Sequence, residues 1–142
     1  MSIKFKNILI PVTGNLEGEH SFRIACNLAR TSKSELHVIY VIEVSLDLPV
    51  DADMDLSKGE SILKHIEEIG KEEKCKLKAH ILQSRHAGPA IIQEAFSVQA
   101  DLIVLGPSLN NKHDDLISTT PSYILANAQC PVILWMENEH QV

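Results

Sequence analysis

Short runs rich in β-branched residues and leucine alternate along the chain with stretches whose apolar residues recur every three or four positions, which predicts a succession of βαβ units. Ile8-Leu9-Ile10-Pro11-Val12 is almost continuously apolar, as expected of a strand buried on both faces of a parallel sheet. Phe22, Ala25, Cys26 and Ala29 then share one stripe of a helix, and Leu36 to Ile42 reads as a second strand. The acidic stretch from Glu43 to Asp55, interrupted by Pro49, reads as a mobile, solvated connection. Ser57 followed by Glu60 has the pattern of a capping box ahead of Ile62, Leu63, Ile66 and Ile69, the apolar face of a long helix. Leu77 to Leu82 predicts a third strand. Gly88-Pro89 opens the next helix with proline at its first position, and Ile91, Ile92, Ala95 and Val98 form its buried face. Leu102 to Leu105 is the most apolar strand and ends at Gly106-Pro107. Beyond a polar loop, Thr120-Pro121 predicts an N-cap and first helical position, followed by Tyr123, Ile124, Leu125 and Ala128. Pro131 to Trp135 forms the last strand.

Strands separated by helices in this way make one open, doubly wound α/β domain over residues 1–142, with helices on both faces of a five-stranded parallel sheet. Ligands of such sheets bind beyond the carboxyl ends of the strands, where strand order reverses. Attention therefore falls on Thr13-Gly14-Asn15 and on the loop from Gly106 to Thr120. A glycine after a buried strand, followed by a hydroxyl-rich helix start, is one way to turn backbone N–H groups toward an anion. Ser118, Thr119, Thr120 and Ser122 crowd that start, although plain capping calls for the same residue types.

Composition narrows the function. With 13 Lys+Arg against 19 Asp+Glu the formal charge is −6, and the basic residues are scattered, so nucleic acid and anionic membrane are poor partners. No apolar run approaches a membrane span and the start does not resemble a signal peptide, so the expectation is a cytoplasmic protein. The 3 cysteines, Cys26, Cys75 and Cys130, lie far apart without a Cys-x-x-Cys pair and read as reduced thiols rather than a disulfide framework or a zinc site. The spacing of the 7 histidines matches no ligand motif, so no metal is expected at His37, His80 or His86. P-loop, nucleophile-elbow and zincin motifs are missing, and no residue is an evident base near a phosphate site.

Taken together, Asn7-Ile8-Leu9-Ile10-Pro11-Val12, Tyr40-Val41, Ala100-Asp101-Leu102-Ile103-Val104-Leu105-Gly106 and Cys130-Pro131-Val132 resemble the universal stress proteins over nearly the whole chain. The resemblance implies strand order 3-2-1-4-5 and, for many members, a dimer joined along the last strand. It also implies, for some members, an ATP site: an Asp at the end of the first strand, then Gly, two residues, Gly, nine residues, Gly and Ser or Thr. Gly106 matches the first glycine and Thr120 the final hydroxyl, but Thr13, Leu109 and Thr119 replace the Asp and the other two glycines. A side chain at such glycines blocks close backbone approach. Asp114 and Asp115, opposed by Lys112 and His113, add repulsion toward a triphosphate, while Asn110 and Asn111 tolerate a left-handed turn.

The expectation is a homodimer acting through protein contacts or an unidentified small ligand, with ATP a doubtful cofactor. The alternatives are an adenine-nucleotide switch and, ranked last, a slow ATP hydrolase. The residues carried over as nucleotide-binding are Pro11, Val12, Thr13, Val41, Gly106, Thr120, Pro121 and Ser122. The loop from Pro107 to Ser118 is expected to be mobile without ligand. The dimer edge is expected at Val132, Ile133, Leu134 and Trp135, with a proline at Ile133 removing a donor from it.

Overall fold

The computed structural model describes residues 4–12, 19–106 and 119–135. Along the chain these form β1 (Asn7–Val12), α1 (Glu19–Ser32), β2 (Glu35–Glu43), α2 (Ser57–Glu72), β3 (Leu77–Ser84), α3 (Ala87–Ser97), β4 (Leu102–Leu105), α4 (Thr119–Asn127) and β5 (Val132–Leu134). The strands make one parallel sheet in the order β3-β2-β1-β4-β5.

Alternation along the central strands divides the core in two. Ile8, Ile10, Val12, Leu36 and Val38 point to one face and pack under Phe22, Ala25, Cys26 and Ala29 of α1 and Leu63, Ile66 and Ile69 of α2. Leu9, Ile39, Ile103 and Leu105 point to the other, against Ile91 and Ala95 of α3 and Ile124 of α4. Phe22 is fully buried, a burial worth about 2–3 kcal/mol by apolar area. β1 reads as continuously apolar because both its faces are covered. It pairs with β2 along its whole length but with β4 only at Ile8 and Leu9. Pro11, which has no N–H to give, lies beyond that second pairing, so the two strands part toward their carboxyl ends.

The structure revises several local expectations. Ser57 is not the cap of α2: it lies inside the helix, and its N–H and hydroxyl both donate to Asp55 Oδ1, at 3.0 and 2.7 Å. The capping carboxylate thus lies two residues before Ser57, and the Ser57 N–H holds it below the usual carboxylate range. α3 starts at Ala87 and α4 at Thr119, so Pro89 and Pro121 fall inside the first turn, where an N–H still needs no helical partner. The connection after β2 is solvated but pinned. Gln83 Nε2 donates to the carbonyls of Val50 and Ala52 at 3.1 and 2.9 Å, and Arg85 Nη1 donates to those of Val44 and Ser45.

α1, α2 and α3 each end on a left-handed residue that is not glycine: Lys33 at φ 56°, Lys74 at φ 57° and Gln99 at φ 54°. Behind them, Ser34, Cys75 and Ala100 return N–H groups to the carbonyls of Ala29, Gly70 and Ala95, which satisfies groups left open at the helix ends.

Candidate functional site

Strand order reverses between β1 and β4, so the carboxyl edge beside them is where this architecture places a ligand. β2 ends there at Glu43, and its carboxylate reaches across to the start of α3, where Oε2 accepts the Ala87 N–H at 2.8 Å. His86, the cap residue of α3, makes no side-chain capping bond, so Glu43 takes over that task from another element. α3 and α4 then meet closely. A Cβ on Gly88 would stand 3.0 Å from the ring of Tyr123, a contact that only a glycine avoids without a shift of the ring. Between these pieces lies a cavity of about 280 Å³ lined by Glu43, His86, Ala87, Gly88, Pro89, Thr120 and Tyr123. It offers a carboxylate, an imidazole, a hydroxyl and a ring face, which is hydrogen-bonding and stacking equipment rather than a nucleophile with a paired base.

Of the carried-over residues that are described, Thr120 alone lines this cavity. Pro11 and Val12 are buried at the end of β1, paired with Ile39 and Tyr40 of β2. Val41 is half-buried on the α3–α4 face of the sheet and pairs with Leu82. Gly106 is buried directly after β4, Pro121 is buried in the first turn of α4, and Ser122 is exposed. Thr13 and the loop from Pro107 to Ser118, with Leu109, Asn110, Asn111, Lys112, His113, Asp114 and Asp115, lie outside the described residues. Glu43, Gly88 and Tyr123 escaped the sequence reading, as did the role of His86 beside the edge. In the sequence Glu43 opens an acidic connection and Gly88 opens a helix; the signal available is their place, Glu43 as the last residue of β2 and Gly88 four positions after the last residue of β3.

The histidines have structural work elsewhere. His37 is buried in β2 with Nε2 3.1 Å from Asn7 Oδ1, and burial holds it below the ordinary histidine range. His80 meets Glu94 at 2.9 Å and His65 meets Glu19 at 3.3 Å. Among the described residues no three His, Cys, Asp or Glu side chains gather in a metal-binding group, and no helix is long and apolar enough to cross a membrane.

The sequence pattern of the universal stress protein family matches residues 4–135. The chain belongs to that family. Universal stress protein MJ0531 of Methanocaldococcus jannaschii is 27% identical over 139 residues, spanning 92% of this chain and 81% of that protein. Solved structures agree in fold. A universal stress protein from Archaeoglobus fulgidus in complex with dAMP superposes with a TM-score of 0.73 at 20% identity, covering 93% of this chain and 98% of that one. A member from Arabidopsis thaliana with AMP bound superposes with a TM-score of 0.70 at 17% identity, covering 94% and 93%. The strand order of the family is the one found in this universal stress protein.

Proposed function

We propose that this universal stress protein is a homodimeric binding module that takes an adenosine nucleotide with few phosphates at its carboxyl edge, holds ATP weakly and catalyses no hydrolysis. The observation that carries the reading is the cavity in which Thr120, at the start of α4, faces the start of α3 and the ring of Tyr123. At about 280 Å³ it lies just below the range, roughly 300–1,000 Å³, that encloses drug-sized ligands, which suits a small one. Solved family members hold dAMP and AMP, ligands with a single phosphate. Thr13, Leu109 and Thr119, with Asp114 and Asp115, replace or oppose what a triphosphate would need. Calorimetric titration tests this: AMP should bind about tenfold or more tighter than Mg-ATP. The triple change Thr13→Asp, Leu109→Gly, Thr119→Gly should bring ATP up toward AMP. Low-micromolar binding of Mg-ATP by the wild type, or no heat from AMP at millimolar concentration, would overturn the reading.

Dimerisation belongs to the same proposal. Ile103 donates its N–H to the carbonyl of Pro131, and Trp135 donates its own to the carbonyl of Leu105. Backbone groups alternate in direction along a strand, so Pro131, Ile133 and Trp135 face β4, while Val132 and Leu134 turn theirs to the outer edge. A proline at Ile133 would therefore damage the fold's own ladder rather than the edge, and Leu134→Pro is the better probe. Sedimentation should show a wild-type dimer at tens of micromolar and a folded monomer for Leu134→Pro. A wild-type monomer would refute the interface. The free thiols Cys26, Cys75 and Cys130 suit the cytoplasm as the place where it works.

A further inference from the structure

At the opposite, amino-terminal edge of the sheet the structure brings together two cysteines 49 positions apart, with Cys26 Sγ 2.7 Å from Cys75 Sγ. Cys26 sits on the apolar stripe of α1 and is fully buried. Cys75 occupies the turn between α2 and β3, fixed there by Lys74 in its left-handed conformation and by its own N–H bonded to the Gly70 carbonyl at 3.0 Å. Unlike its partner, Cys75 is only partly buried. It lines a cavity of about 290 Å³ together with Ala29, Arg30, Lys33, Ser34, Lys74 and Lys76. A small polar oxidant can thus reach one sulfur and not the other. The basic side chains partly complement the carboxyl ends of α1 and α2, but that role does not explain why a thiol lining the cavity touches a second thiol from another element.

We propose that Cys75 is a peroxide-reactive thiol and that Cys26 completes its oxidation, the two closing a reversible disulfide between α1 and the turn into β3. In the first step the Cys75 sulfur, as thiolate, attacks one oxygen of hydrogen peroxide. The O–O bond breaks, the departing hydroxide takes up the thiol proton as water, and Cys75 becomes a sulfenic acid. In the second step the Cys26 sulfur attacks the Cys75 sulfur. The S–O bond breaks, the Cys26 proton leaves with the hydroxyl as a second water, and the S–S bond forms. Two electrons pass from the sulfur pair to the peroxide. The order follows from access, and burial, which pushes the Cys26 thiol up, keeps that sulfur protonated until its partner is activated. The two sulfurs already touch, which is the contact that an S–S bond of about 2.05 Å requires.

The test uses the full reduced chain and equimolar hydrogen peroxide. Intact mass should fall by two hydrogens, the free thiols should drop from 3 to one, and a non-reducing digest should yield a peptide joining Cys26 to Cys75. Closing a loop of this span should raise Tm by about 10 °C, and dithiothreitol should reverse the shift. Cys26→Ser should leave a sulfenic acid on Cys75 that dimedone traps, whereas Cys75→Ser should leave Cys26 unmodified at the same dose. Cys130→Ser should cross-link like the wild type, which keeps the test independent of variants in the core. Unchanged thiols in the wild type, a cross-link through Cys130, or oxidation of Cys26 at wild-type rate in Cys75→Ser would overturn the proposal.

Discussion

Glu43→Ala removes the carboxylate that accepts the Ala87 N–H at 2.8 Å and so uncaps α3 from outside its own sequence. His86 offers no side-chain bond as a substitute. Loss of an N-capping acceptor costs about 1 kcal/mol, within a range of roughly 0.5–2. Loss of the negative charge at a helix N-terminus costs about 0.3–1 kcal/mol, and part of this is the same interaction counted again. The expected destabilisation is about 1–1.5 kcal/mol, a factor of roughly 5–13 in the folded-to-unfolded ratio and a Tm lower by about 3–5 °C. Glu43→Gln retains an acceptor oxygen and loses only the charge, so it should cost less than half as much. Urea unfolding at neutral pH measures this: the midpoint should fall at unchanged m, and amide exchange should quicken at Ala87, Gly88 and Ala90 before the rest of α3. If Glu43→Ala proves as stable as the wild type within about 0.3 kcal/mol and those amides exchange as before, the contact does not cap the helix.

Lys33→Gly and Gln99→Gly should each stabilise the protein by about 0.5–1 kcal/mol, because the relief of roughly 1–2 kcal/mol of left-handed strain exceeds the added freedom of the unfolded chain, about 0.4–1 kcal/mol; lower melting temperatures in both variants would contradict this. Burial holds His37 below its ordinary range, so as the pH falls the unfolded chain takes up that proton first. Its contribution to stability is therefore complete above about pH 6.5 and is lost progressively below that value until the folded His37 itself titrates. His37→Gln should flatten the decline between pH 7 and 5, and equal slopes in wild type and variant would count against it.

The strands and helices were legible in the sequence because burial on one or two faces imposes a period of two, none or 3.6 on the apolar positions. Ile8 to Ile10 and Leu102 to Leu105 show this directly, being sealed between two layers of helices. What escaped was side chains serving distant backbone. Glu43 capping α3, Gln83 and Arg85 pinning the connection after β2, and the meeting of Cys26 with Cys75 all depend on the register of β2 against β3 and on where α1 lies over the sheet. No local pattern encodes those relations. The helix ends were hidden for another reason: Lys33, Lys74 and Gln99 hold a conformation usually signalled by glycine. Asp55 is hidden for a third reason: Ser57 with Glu60 offers a more familiar pattern, yet the Ser57 N–H is taken by the carboxylate two residues before it.

Binding of a small nucleotide at the carboxyl edge is tested most directly by amide chemical-shift mapping during a titration with AMP. The largest changes should fall on Val12, Val41 to Glu43, Ala87 to Gly88, Gly106 and Thr120 to Tyr123, which converge on one end of the sheet. They should saturate with a single affinity and reappear, weaker at equal concentration, with Mg-ATP. Shifts confined to the amino edge around Lys33 and Lys74, or no saturable shift anywhere, would contradict it.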